Sequence, residues 1–293
     1  MYLADIFNSR GLFQYFGGWI AKLNSGTKSH AHVVLQRAYE VLYHLEQGRY
    51  LEHSARSQFE AHMQLAVGSP AYLHCWSPLV ANLVIELSGA LGTIRVLQND
   101  VWRFVTTALD SRNAPSSMRD AYKSIIRKYA SGSKRPKWLT EVPSGMRKAV
   151  ESYWEKSGEA VAAYRDVDQH YDVLARGCFL LTADKVLTRV SVRLPDNPDL
   201  KSPAKFTYDK AVDGFDLAQT SFLDLHDLVE TLAQIGDAPR AALQQAMEFV
   251  PSIAHDPGAI RTTALILFDR AGKAGLVIGQ DAEMHVTLRR ISP

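Results

Sequence analysis

Arg165, Asp166 and His170 stand in the run Tyr164-Arg165-Asp166-Val167-Asp168-Gln169-His170-Tyr171, and their types suit phosphate chemistry. An arginine offers a planar fork for two non-bridging phosphate oxygens and stays charged at any working pH. A histidine moves protons near neutrality. Together they suit attack of an RNA 2′-hydroxyl on the adjacent phosphate. His170 handles the proton at the attacking or leaving oxygen, and Arg165 stabilises the charge developing at phosphorus. That step needs no metal or other cofactor. Asp166, four residues before His170 on one helical face, is placed to orient His170 or Arg165. Residues five apart on a regular helix are separated by about 500°, effectively about 140°, so Arg165 and His170 share a face only if the arginine wraps round or the helix is distorted.

The same residues allow two other readings. One is a solvated helix on which Arg165 pairs with an acidic neighbour and His170 is half-buried. The other takes Glu159, Asp166 and His170, spaced i, i+7 and i+11, as oxygen and nitrogen ligands for a divalent metal in a helical bundle.

A second chemical feature is charge. The 293 residues hold 33 Lys+Arg against 31 Asp+Glu, a net +2, but the two signs are unevenly spread. Residues 1–150 carry 18 basic and 10 acidic side chains, and residues 151–293 carry 15 and 21. Between Arg112 and Lys148, ten basic residues face only Asp120 and Glu141. Within that stretch Arg127, Lys128, Lys134, Arg135 and Lys137, with Trp138 for stacking, are the candidate nucleic-acid contacts. A solvated loop and helix face is the plainer alternative for them.

Other chemistries are disfavoured by what the sequence lacks. It has no G-x-x-x-x-G-K-[ST] loop, no strand-linked G-x-G-x-x-G, no G-x-S-x-G elbow and no H-E-x-x-H helix. Cys75 and Cys178 lie far apart, which argues against a disulfide scaffold or zinc knuckle. His30 and His32 read as surface or capping residues. His44, His53 and His62 recur every nine positions, half a turn out of phase each time, and form no ligand set. The composition, 46% hydrophobic and 22% charged, is that of a soluble globule. Asp5 and Asn8 interrupt the only apolar opening, so no secretory leader is expected. The stretch Leu79 to Leu97 carries Asn82, Glu86 and Arg95 and reads as a buried helix rather than a membrane span. These points lead to an expected cytoplasmic location without membrane attachment.

The elements that must position these residues follow from periodicity. Val34, Leu35, Ala38, Val41, Leu42 and Leu45 carry the 3.6-residue period of an amphipathic helix, in a pair of helices over His30 to Val67 interrupted near Gly48. A long, central helix starts at Ser77-Pro78 and runs to about Leu109, with small residues Ser88, Gly89, Ala90 and Gly92 for close approach by another helix. A short basic helix is expected over Met118 to Tyr129, followed by a mobile loop over Ser131 to Pro136. A second long helix, N-capped by Ser144 and ended by Gly177, holds Arg165 and His170. A β-hairpin over 178–194, a turn-rich loop, a helix over Asp216 to Ile235, a shorter helix over Ala238 to Val250 and a small C-terminal sheet complete the expected order. The domains are then an N-terminal arm (1–28), a mainly α body (29–236) and a C-terminal α/β appendage (237–293).

The order Arg165, Asp166, His170 resembles the HEPN family of small helical ribonucleases and toxins, whose signature is an Arg, four to six residues, then a His, with a polar Asn, Asp or His after the Arg. Three stretches fit the spacing, Arg37 to His44, Arg56 to His62 and Arg165 to His170, and only the last has the polar residue. The resemblance implies a HEPN-like helical bundle and a metal-independent endoribonuclease of toxin or defence type. It also implies a cyclic phosphate product, a homodimer with the two Arg-His pairs facing one cleft, and a cognate antitoxin or regulatory partner. Two rival functions stay open: a non-enzymatic helical protein that binds nucleic acid or an acidic partner, and a divalent-metal helical bundle.

Overall fold

The computed structural model describes residues 14–22, 25–65, 78–111, 113–129, 134–170, 178–183, 186–200, 202–210, 212–237, 247–250, 264–268, 275–280 and 286–291. They are mainly helical. Two compact units are present, one formed by Asn24–Leu228 and the other by Met1–Leu23 with Val229–Pro293.

In the larger unit, helix α2 (Ser25–Leu65) packs along α3 (Pro78–Ala108). Of the periodic residues named above Val34, Ala38, Val41, Leu42 and Leu45 of α2 are buried, as are Leu83, Leu87, Leu91, Ile94 and Leu97 of α3, while Leu35 is half-buried. Burying a side chain of this size contributes about 1.5–3 kcal/mol before ordering costs. Gly89 lets the helices close, since a Cβ there would stand 2.6 Å from His44 Cε1. His44 Nδ1 in turn lies 2.8 Å from Glu86 Oε2.

The expected break at Gly48 does not occur, and α2 passes through it as one helix. The glycine instead makes room for Phe215, because a Cβ would sit 1.9 Å from the ring. Phe215 opens helix α8 (Gly214–Ile235), and next to it Arg49 reaches Asp216 at 2.7 Å and Gln219 at 3.3 Å. Gly48→Ala is therefore expected to cost about 1–3 kcal/mol through overpacking, although alanine is the better helix former. A urea melt that shows Gly48→Ala at or above parent stability would contradict this packing.

After α3 come α4 (Met118–Ile126), the single turn α5 (Trp138–Glu141) and α6 (Ser144–Tyr153). Ser117 caps α4 by accepting from Asp120 N at 3.1 Å. Ser144 is the first residue of α6 rather than its cap, the position before it being Pro143. The expected single long helix is interrupted by a π turn, Trp154–Gly158, before α7 (Glu159–His170). Partners on two other helices hold the bulge. Gln98 of α3 donates to Tyr153 Oη at 2.9 Å and to the Gly158 carbonyl at 3.5 Å, while Ser157 and Lys156 both bond Asp224 of α8.

Strands β1 (Cys178–Ala183) and β2 (Val186–Val192) pair antiparallel, with Val190 and Val192 buried. The loop that follows is tied by Asp196, whose carboxylate accepts from the backbone N–H groups of Asp209 and Lys210. Asp213 caps α8 through Asp216 N at 3.0 Å.

In the smaller unit, Glu230 accepts from Tyr15 N at 2.9 Å and Phe16 N at 3.1 Å, satisfying N–H groups in the first turn of α1 (Gln14–Lys22). Asp237, at φ 55°, closes α8 in the left-handed conformation. Strands β3 (Met247–Val250), β4 (Ala264–Phe268), β5 (Gly275–Gln280) and β6 (Val286–Ile291) form an antiparallel sheet in sequence order. Met247–Val250 is thus a strand, not the end of the expected helix from Ala238, and residues 238–246 lie outside the described residues.

Candidate functional site

Helix α7 carries the Arg165–His170 pair on regular helical backbone, since the π turn ends before Glu159. The two positions therefore keep their separation of about 140° round the axis. The side chain of His170 and residues 171–177, with the expected cap Gly177, lie outside the described residues. Tyr164 and Val167 fix the helix to the body: both are buried, and Tyr164 Oη donates to the Pro195 carbonyl at 2.8 Å. Asp168 meets Ser88 of α3, one of the small residues on that helix.

Arg165 points to a half-open surface, with its side chain 30% exposed and Nη1 3.4 Å from Asp166 Oδ1. The other oxygen of Asp166 lies 3.4 Å from Nη1 of Arg119, on α4. The Asp166 carboxylate thus bridges two guanidinium groups.

A third arginine joins them. Arg95 of α3 donates to Gln98 Oε1 at 3.0 Å and Asn99 Oδ1 at 3.1 Å, and its guanidinium lies 5.5 Å from the Trp154 ring centroid. Asn99 Oδ1 also accepts from Met118 N at 3.2 Å, which fixes the start of α4, and with it Arg119, beside Arg95. Burial, together with the charges of Arg119 and Arg165, pushes Arg95 below the usual arginine range, and Asp166 offsets part of this. Arg119 and Arg165 thus share the Asp166 carboxylate, and Arg95, bonded to Gln98 and Asn99, lies within reach of their charges. Tyr122, one turn after Arg119, stacks on Trp154 with centroids 5.8 Å apart, and its hydroxyl donates to Glu155 at 3.4 Å.

The basic stretch divides. Arg127, Lys128, Lys134, Arg135 and Lys137 are exposed. The Arg127 and Arg135 guanidinium groups lie 5.7 and 5.8 Å from the Tyr129 ring centroid, and Lys137 pairs with Glu141 at 3.2 Å. Residues 130–133 of the expected loop lie outside the described residues. Trp138 is a core residue, 2% exposed and edge-on to Trp102, so its ring offers no open face for a base.

Arg95 and Arg119 were not singled out from sequence as site residues. Arg95 reads there as a polar interruption of an apolar helix, and Arg119 as one member of a charge run. The signal that could have found Arg95 is the charge itself, inside a stretch otherwise suited to the core. No group of three or more His, Cys, Asp or Glu is gathered among the described residues, and the side chain of His170, one of the three expected metal ligands (Glu159, Asp166 and His170), lies outside them.

By length and composition α3 is apolar enough to cross a membrane, with 28% of its most apolar window buried; it also builds the seam with α2 and carries Arg95, Asn99 and Ser88 to the candidate site. No family model, curated protein or solved structure matches the chain.

Proposed function

We propose that the protein is a HEPN-like, metal-independent endoribonuclease of toxin or defence type, acting in the cytoplasm on RNA held by the basic residues of α4 and the loop after it. The observation that carries this reading is the pairing of the motif's Arg165 with Arg119 of α4 across one carboxylate, Asp166. Arg165, 30% exposed, shares a single carboxylate with Arg119 in contacts of 3.4 Å, looser than an ordinary charged hydrogen bond, so its fork can turn to a phosphate. His170 follows on the same helix and supplies the proton transfers at the 2′-oxygen and the leaving 5′-oxygen. The products are a 2′,3′-cyclic phosphate and a free 5′-hydroxyl. Two copies pair about a two-fold axis, so Arg165 and His170 of one site need not come from one helix, which eases their divergence round α7.

Cleavage of single-stranded RNA in EDTA tests the reading. Activity that persists in EDTA and falls with Arg165→Ala supports it. Cleavage that survives Arg165→Ala and His170→Ala, or that needs added Mn²⁺, contradicts it. The 140° separation also favours a second reading, a non-enzymatic protein that binds RNA through the same arginines, for which binding without cleavage is the expected result.

The basic stretch makes its own prediction. Replacing Lys134, Arg135 and Lys137 together by Gln is expected to reduce the slope of log K against log salt by about 2, at roughly 0.7 per phosphate contact on single strands. An unchanged slope in a salt titration would exclude these residues from the RNA interface.

A further inference from the structure

We propose that Arg95, Arg119 and Arg165 form a binding site for a single phosphate group, in which Asp166 is the internal carboxylate that the phosphate displaces. The site shares Arg165 with the cleavage reading but requires neither His170 nor a 2′-hydroxyl.

Three helices bring one guanidinium each, and two shared groups tie them together. Asn99 Oδ1 holds Arg95 at 3.1 Å and the first amide of α4 at 3.2 Å, and Asp166 spans Arg119 and Arg165 at 3.4 Å on either oxygen. The charge is not balanced. Arg49 has Glu52 and Asp216, both within 2.8 Å, and Arg37 has Glu40 at 2.6 Å and Asp100 at 3.9 Å. Among the described residues Arg119 and Arg165 have Asp166 between them, and Arg95 spends its hydrogen bonds on neutral amide oxygens.

A carboxylate brings one charge and two oxygens in a plane. A phosphate monoester or inorganic phosphate brings up to two charges and at least three terminal oxygens in a tetrahedron, one for each fork. Burial and like charge already push Arg95 down, and a dianion relieves that cost. The far edge of the site is acidic: Glu155 meets the Tyr122 hydroxyl, and Glu151 and Glu159 act on the same group. That edge bounds the site on the Tyr122 side. The group can arrive as inorganic phosphate or as the terminal phosphate of an RNA.

The test uses the full chain, with thermal unfolding and calorimetry in potassium phosphate against potassium chloride at matched ionic strength. A short RNA with and without a 5′-phosphate is the second probe. Phosphate is expected to raise the unfolding midpoint over chloride. Arg95→Gln and Arg119→Gln should each weaken phosphate binding about tenfold or more, the loss of one charged hydrogen-bonding partner. Asp166→Asn should tighten it. Lys148→Gln, exposed and outside the cluster, should leave it unchanged. A preference for the 5′-phosphorylated RNA with little response to inorganic phosphate assigns the site to a terminal phosphate, and equal response assigns it to the free ion. If Arg95→Gln unfolds the chain, Arg119→Gln decides, its side chain being 46% exposed. The proposal is overturned if neither probe shows a phosphate-specific effect in the parent and in Asp166→Asn, or if Lys148→Gln weakens binding as much as Arg119→Gln.

Discussion

Under the proposed function, His170→Ala is expected to lower the rate of metal-independent RNA cleavage by about 10²–10⁴, the usual loss when a general acid-base group is removed from a phosphoryl or acyl transfer. Arg165→Ala causes a loss of similar order, but of different character. An arginine that stabilises charge in the transition state loses rate at saturating substrate, and one that only holds the ground state raises KM alone. Single-turnover rates at saturating RNA separate the two. Arg165→Lys recovers little of the loss, because an ammonium is a point charge and cannot present two parallel donors to phosphate oxygens. A full rescue by lysine would mean that Arg165 contributes charge without geometry.

Trp102→Ala carries the largest expected effect on stability, about 3–5 kcal/mol, measured as a shift of the urea midpoint at unchanged slope. Trp102 is fully buried on α3, edge-to-face with Trp138 at 5.5 Å, and its indole N–H donates to the Pro115 carbonyl at 2.8 Å. The side chain thus fastens α3 to both the segment entering α4 and the turn α5. Truncation leaves a cavity and an orphaned carbonyl together. Trp102→Phe keeps most of the volume and loses the hydrogen bond, so its cost should be clearly smaller. Equal costs for the two would show that the hydrogen bond, and not the packing, fastens this corner.

The mainly helical character was legible because α2 and α3 bury residues at the 3.6-residue period, and periodicity reports burial directly. The departures share one cause, a partner distant in sequence. Gly48 reads as a break, yet Phe215 fills the place of its missing side chain and the helix continues. Nothing in Trp154–Gly158 marks a π turn, because the groups that sustain it, Gln98 and Asp224, belong to α3 and α8.

The candidate site shows the same division. The local motif Arg165-Asp166 is visible in one dimension. The pairing of Asp166 with Arg119 is a tertiary fact, and it adds a counter-ion between two arginines to the expected role of Asp166 in orienting His170 or Arg165. Trp138 shows the converse: an aromatic residue within a basic run suggests stacking, but its own turn carries it into the core.

The central claim is that α7 presents an arginine and a histidine to RNA for attack by the 2′-hydroxyl. The most direct measurement incubates the chain in EDTA with an RNA strand and with the same strand carrying 2′-deoxyribose at every position. Cleavage of the RNA to 2′,3′-cyclic phosphate ends, with the deoxy strand left intact, is the result predicted. Cutting of both strands, or an RNA that is bound and never cut, would contradict it.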